Sequence, residues 1–308
     1  MKRLECNKNE HTVDNYLSIP NTIYMTTEIS DLYQPEGKVR GPIVDGIFYP
    51  DDGKLLTEEI RYLLQEVAGI KGSSFGIIVP HAALPFSGSL AAAAYNSIAG
   101  RDISTVVIIA PVHREEQDKV FLTESESFII PTGIIKVNTD MVKKLENADP
   151  CFQLNDLPHL EEHCIEMQLP FIHYLYPDAD IVPILVGSGK KEILEIVSDA
   201  LKTIFRDKLE KTLFVVSANM SAYLPVEEAN GHCEQLLQVL ESGNINDLNN
   251  MIKSNYKKFK EIGAAAVLLS IAGEGARVKV LRKKDSSKYS CENGNIVCYA
   301  AITVDKAG

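Results

Sequence analysis

The chain has 308 residues, 45% apolar and 24% charged, which excludes a disordered polymer and suffices for one buried core without staples. Its 31 basic and 42 acidic residues leave a net charge of −11, which repels phosphate backbones and argues against nucleic acid as a partner. No apolar run nears the roughly 20 residues that span a bilayer, and the start MKRLECNKNEHT lacks the apolar stretch of a secretory leader.

Residues 1–43 carry scattered aromatics, Pro and Gly without a period. They are expected to form an extended arm packed on the domain or on a second subunit, which keeps a dimer in view, with a single α/β domain over 44–308. From Asp45 the pattern is regular. Thr57–Val67 has Ile60, Leu63, Leu64 and Val67 at helical spacing behind a Thr-x-x-Glu/Ile start. Phe75–Val79 and Thr105–Ala110 are short, wholly apolar runs ending at Pro, as buried parallel strands do, and the small-residue stretch Gly88–Ala99 between them predicts a closely packed helix. Strand, helix and strand in that order make a right-handed crossover unit.

The alternating segment Val120–Val137 predicts a β excursion. Asp180–Val186, Thr212–Ser217 and Val278–Leu281 predict further strands; Leu160–Tyr174, Glu192–Phe205, His232–Glu241 and Gly263–Ala272 predict helices. The expected architecture is a layered α/β/α sandwich around a mostly parallel or mixed sheet. The six cysteines form no CxxC pair and fit reduced thiols of a cytoplasmic protein. Cys291 and Cys298 flank a predicted turn at Glu292–Asn295, where Asn-Gly favours tight geometry.

Ligands of open α/β sheets bind beyond the carboxyl ends of the strands. Here Phe75–Val79 runs into Pro80-His81, Thr105–Ala110 into Pro111-Val112-His113, and Thr212–Val216 into Ser217-Ala218-Asn219. The first two bring imidazoles to one crevice, and imidazole is the commonest side-chain ligand of zinc, copper and iron. Taken singly, each His is more simply a hydrogen-bonded loop residue. In Glu161-Glu162-His163-Cys164-Ile165-Glu166, a helix would set Glu162 and Glu166 on one face beside His163. By spacing alone, that pattern is more simply a solvated helix start. Nucleotide, dinucleotide, hydrolase-elbow and zincin motifs are missing.

The segments GIFYP (Gly46–Pro50), VPHAALPFSG (Val79–Gly88), IIAPVH (Ile108–His113), PTGIIKV (Pro131–Val137), EEHCIEMQLPFI (Glu161–Ile172), IVPILVG (Ile181–Gly187) and FVVSANMS (Phe214–Ser221) resemble, in order and spacing, the Memo-like family, also labelled AmmeMemoRadiSam system protein B. The resemblance implies a fold like the class III extradiol dioxygenases with a non-haem metal pocket. It assigns His81 and His113 as metal ligands and brings the positions of Asn219 and Lys260 to the pocket, which Gly88, His163 and Glu166 are also expected to line. It also exposes departures: Lys260 stands where the family has its Cys ligand, and Asn219 and Ala222 stand where it has Asp and His. Ala83 and Leu84 replace Gly and Tyr of the loop after His81.

Two imidazoles alone hold a divalent ion weakly. The sequence therefore points first to a degenerate pocket serving to bind a small ligand or a partner, with radical-SAM or AMMECR-type companions implied by the family name. A metal-dependent oxidoreductase using iron, copper or zinc, with His163 or Glu166 as third ligand, is the rival. A metal-free acid–base pair of His113 and Lys260 is the remaining alternative, Lys260 supplying a fixed cation that lowers the pKa of a neighbouring imidazole.

Overall fold

A computed structural model of the chain describes residues 37–70, 72–114, 116–255, 259–289 and 294–307. Its strands are β1 (Val39–Arg40), β2 (Gly76–Val79), β3 (Thr105–Pro111), β4 (Val120–Leu122), β5 (Ser127–Ile130), β6 (Gly133–Lys136), β7 (Phe152–Leu154), β8 (Asp180–Val186), β9 (Thr212–Ser217), β10 (Leu224–Pro225), β11 (Arg277–Asp285), β12 (Asn295–Ile296) and β13 (Cys298–Asp305). The helices are α1 (Gly53–Glu66), α2 (Leu84–Asn96), α3 (Thr139–Glu146), α4 (Asp156–Glu161), α5 (Leu169–Leu175), α6 (Lys191–Phe205), α7 (Val226–Glu241), α8 (Ile245–Ser254) and α9 (Gly263–Ala272).

The main sheet has eight strands in the order β11-β13-β2-β9-β3-β8-β4-β7. Its middle, β2-β9-β3-β8, is parallel. Antiparallel β13 and β11 extend one edge, and β4 runs antiparallel to β8 toward the other. Every residue of β2, β3 and β9 is buried, so helices cover both faces, which is why these strands read as unbroken apolar runs. Among the described residues, no helix is long and apolar enough to cross a membrane.

Several local expectations shift. Helix α1 starts at Gly53 because the Asp52 carboxylate caps it, accepting from the Lys54 and Leu55 amides; Thr57 sits inside the first turns. Helix α2 starts at Leu84, with Pro85 in its first turn. The helix expected over Leu160–Tyr174 is broken. Glu162 has extended backbone, a 3-10 turn spans Glu166–Gln168, and α5 begins at Leu169. Strand β13, which the sequence does not announce, pairs with both β2 and β11. The expected turn at Glu292–Asn295 and Cys291 fall largely outside the described residues.

Of the expected arm, residues 1–36 lie outside the described residues. Residues Val39 and Arg40 pair in parallel with Ser127 and Phe128, and Arg40 is buried. Arg40 forms a buried ion pair with Glu166 and donates to the carbonyls of His159 and Glu162.

Candidate metal centre

Strand β9 lies between β2 and β3, and all three run the same way, so their carboxyl ends open on one crevice. His81 follows β2, His113 follows β3, and Ser217 closes β9 opposite Val79. The rings of His81 and His113 meet edge to face at 5.2 Å between centroids. His163 joins them from the broken helix, 5.6 Å from His81 and stacked 5.8 Å from His113, with Phe48 against its far side at 5.0 Å.

Each imidazole is held differently. His81 is 1% exposed, with Nδ1 3.1 Å from Ser217 Oγ, its amide 3.4 Å from Asn219 Oδ1, and Nε2 buried without a hydrogen-bond partner. His113 takes the Glu162 carboxylate twice, through its amide at 2.6 Å and its Nδ1 at 2.8 Å, leaving Nε2 facing Glu261 Oε1 at 3.8 Å. The Glu162 pairing fixes Nδ1 of His113 as a donor, so that whenever the ring is neutral it is Nε2 that carries the lone pair an ion needs.

Electrostatics follow from burial and these contacts. Burial, then the charges of His113 and His163, holds His81 well below the ordinary imidazole range. His163 is pushed down to about 4 by burial and then by His113. His113 is held well above the ordinary range first by its contact with Cys164, whose sulfur lies 3.4 Å from Nδ1, and then by hydrogen bonds to Cys164 and Glu162 and the charge of Glu261, all against the cost of burial. Burial also pushes the Cys164 thiol up to about 11, so at neutral pH the carboxylates are the anions that act on His113. Burial alone would raise Glu162; the hydrogen bond and charge of His113 outweigh it and keep the carboxyl low.

Ligand atoms of His81, His113 and Glu261 lie within 4.8 Å of one another, a two-imidazole, one-carboxylate set. Two further sets, His81–His163–Cys164 and His113–Glu162–Cys164, meet the same limit. A buried, unpartnered Nε2 on His81 is costly in a folded protein and fits an ion-binding position. The donors present therefore fit a divalent transition metal.

The expected site residues divide. His81, His113, His163 and Asn219 come together. Glu166 does not reach the pocket: its oxygens accept from the Ile43 and Val44 amides at 3.1 Å and from Tyr49 Oη at 2.6 Å, besides the ion pair with Arg40. The broken helix is the reason, since it turns Glu162 to His113 and Glu166 to Arg40 instead of stacking them on one face. Gly88 packs in the helix layer, where an added Cβ would sit 2.8 Å from Leu63 Cδ1 of α1. Lys260 lies in the 3-10 turn Lys260–Ile262, its side chain outside the described residues, and the next residue, Glu261, faces His113. Glu261, Ser217, Gln168 and Cys164 were the residues that spacing did not single out. A carboxylate one place beyond the position the family resemblance gives to Cys was the available signal for Glu261.

A family model described as Memo-like protein matches residues 40–303. A MEMO1 family protein of Thermoplasma volcanium is 24% identical over 266 residues, covering 86% of this chain and 97% of that one. One from Saccharolobus solfataricus is 28% identical over 277 residues, covering 85% and 98%. One from Metallosphaera sedula is 30% identical over 198 residues, covering 60% and 70%. Among solved structures, an uncharacterized protein from Escherichia coli K12 aligns with a TM-score of 0.49 at 14% identity, over 74% of this chain and 98% of that one, a likeness too distant to bear on function.

Proposed function

This chain belongs to the Memo-like family, whose fold is that of the class III extradiol dioxygenases, and on that premise we propose that it is a metal-dependent oxidoreductase whose ion is held by His81, His113 and Glu261. The observation that carries the proposal is His81 Nε2, buried and without a partner, in a set closed by a second imidazole and a carboxylate. A set of two imidazoles and one carboxylate suits non-haem iron(II), with zinc and copper as competitors. Glu261 supports this reading over that of a pocket emptied by loss of the family's Cys: the third ligand is supplied, with oxygen in place of sulfur.

When bound, such an ion supplies Lewis acidity and, if iron or copper, one-electron chemistry. The chain's own residues do the rest. Glu162 orients His113 through two hydrogen bonds, one from its backbone amide and one from ring Nδ1. Phe48 and the three imidazoles shape the pocket wall, and His163, neutral at physiological pH, presents its ring beside both ligands. The described cysteines are free thiols, which suits the reducing cytoplasm proposed for this protein.

Elemental analysis of protein purified anaerobically without chelator tests the proposal, beside a His81→Ala, His113→Ala double variant. Stoichiometric metal that is lost in the variant is expected. Metal far below one equivalent, unchanged in the variant, would return the protein to a ligand- or partner-binding role.

A further inference from the structure

Deepening the metal reading, on which it rests, we infer that Ser217 and Gln168 are positioning residues that lock His81 in its Nδ1–H tautomer and so keep Nε2 bare for an ion. The hydrogens are placed by two groups that can only accept. The Gln168 side-chain amide presents one end to the Pro80 carbonyl at 3.1 Å, and because a carbonyl cannot donate, that end is the NH2 group. The same nitrogen lies 3.0 Å from Ser217 Oγ and donates to it. The other end, Oε1, accepts from the Tyr95 hydroxyl at 3.2 Å.

Ser217 has one hydroxyl hydrogen, and it goes to the Cys164 carbonyl 2.8 Å away, the second acceptor-only group. With that hydrogen committed, Oγ can only accept from His81 Nδ1 at 3.1 Å. Nδ1 therefore carries the ring proton, and in a neutral imidazole the other nitrogen then has none. That other nitrogen is the buried Nε2 without a partner. The reverse tautomer would set the lone pairs of Nδ1 and Oγ against each other and place an N–H where the ion belongs. His81, Ser217 and Gln168 are all buried, so no water offers an easy substitute. In its neutral form His113 has the same tautomer by a different device, the Glu162 carboxylate that holds its Nδ1 as a donor. The two ligands are thus prepared alike, one by a neutral relay and the other by an anion.

Side-chain nitrogen NMR of histidine-labelled, metal-free protein tests this, because protonated and bare ring nitrogens resonate far apart; His81 is assigned by its absence in His81→Gln. The expected result is a proton on Nδ1 and a bare Nε2 in the unsubstituted protein. Ser217→Ala is expected to give mixed tautomers and about 10–100-fold weaker Zn2+ binding, with Ser217→Thr restoring both. A proton on Nε2 of His81 in the unsubstituted protein would overturn the inference, and that measurement needs no variant to fold. A folded Ser217→Ala protein with unchanged tautomer and affinity would overturn it too. Because the tautomer is read without metal, an Nδ1–H ring in a protein that binds no ion supports the relay while sinking the metal reading alone.

Discussion

Glu162 grips His113 at two points, its Oε1 accepting from the backbone amide at 2.6 Å and its Oε2 from ring Nδ1 at 2.8 Å. One carboxylate thereby fixes both the position of the strand-end loop and the orientation of its imidazole. Metal-binding His residues commonly donate their second nitrogen to such a group, and losing that partner weakens binding about 10–100-fold. Glu162→Gln keeps the shape while removing the charge, so Zn2+ affinity measured by titration calorimetry is expected to fall within that range. Unchanged affinity would mean that the pairing only holds the loop.

Which oxygen or sulfur completes the ligand set is decided by Co2+ spectroscopy. A His81–His113–Glu261 set gives a cobalt protein without a sulfur-to-metal charge-transfer band, unchanged in Cys164→Ser and lost in Glu261→Ala. A band that disappears in Cys164→Ser would instead assign the ion to His81, His163 and Cys164.

Metal-free stability is expected to fall on acidification. His159 and His163 are each pushed from 6.5 down to about 4, first by burial, and burial also lowers His81 and His173. Below pH 6.5 the unfolded chain takes up these protons and the folded one does not, so each such group costs up to about 1.4 kcal/mol per pH unit down to its folded value. His113 has the opposite shift; its contribution is already complete below its unfolded value and adds no slope there. Thermal melts between pH 7 and 4 check this. A flat melting temperature across that window would contradict it, and His159→Gln should shallow the slope.

Arg40 and Glu166 are a buried ion pair with 1% and 0% side-chain exposure. Removing one partner strands the other's charge, a loss of about 3–5 kcal/mol. Arg40→Ala is expected to lower the denaturation midpoint accordingly, read by circular dichroism in urea. A loss near the surface-pair range, below about 1 kcal/mol, would show that water reaches the pair.

Gly88→Ala offers a contrast. The new Cβ would press on the tip of Leu63, a flexible side chain that can shift, and make ordinary contact with Leu84. An overpacking cost of about 1–3 kcal/mol is offset by about 1 kcal/mol of helix propensity gained by replacing Gly inside α2, so stability should fall by no more than about 2 kcal/mol, and Zn2+ affinity should stay as it was. A large loss of affinity would place Gly88 in the pocket wall after all.

The central parallel strands were legible because burial on both faces leaves unbroken apolar runs in β2, β3, β8 and β9, and the ligand candidates His81 and His113 were legible because they follow such runs. Helix α9 was legible through its wholly apolar composition. The break at Glu162 was not, since the residues from Leu160 to Tyr174 hold no early Pro or Gly to announce it, and only long-range bonds to His113 and Arg40 draw the backbone open. Glu261 escaped notice because a 3-10 turn advances differently from a helix or a strand, so one residue of register changes which side chain meets His113. Ser217 and Gln168 stand 49 residues apart, and their meeting is a product of topology alone.

The turn from Glu162 to Gln168 serves two distant parts of the chain. Gln168 and Glu162 reach the ligands, while Glu166 grasps Arg40 across 126 residues of sequence. The sheet alone therefore does not arrange the pocket: the segment around Arg40 braces the turn that carries Glu162 and Gln168 to the ligands. Contacts spanning so much chain slow a folding search, and any shortened gene product that begins beyond Arg40 would inherit every ligand while lacking the clasp that arranges them.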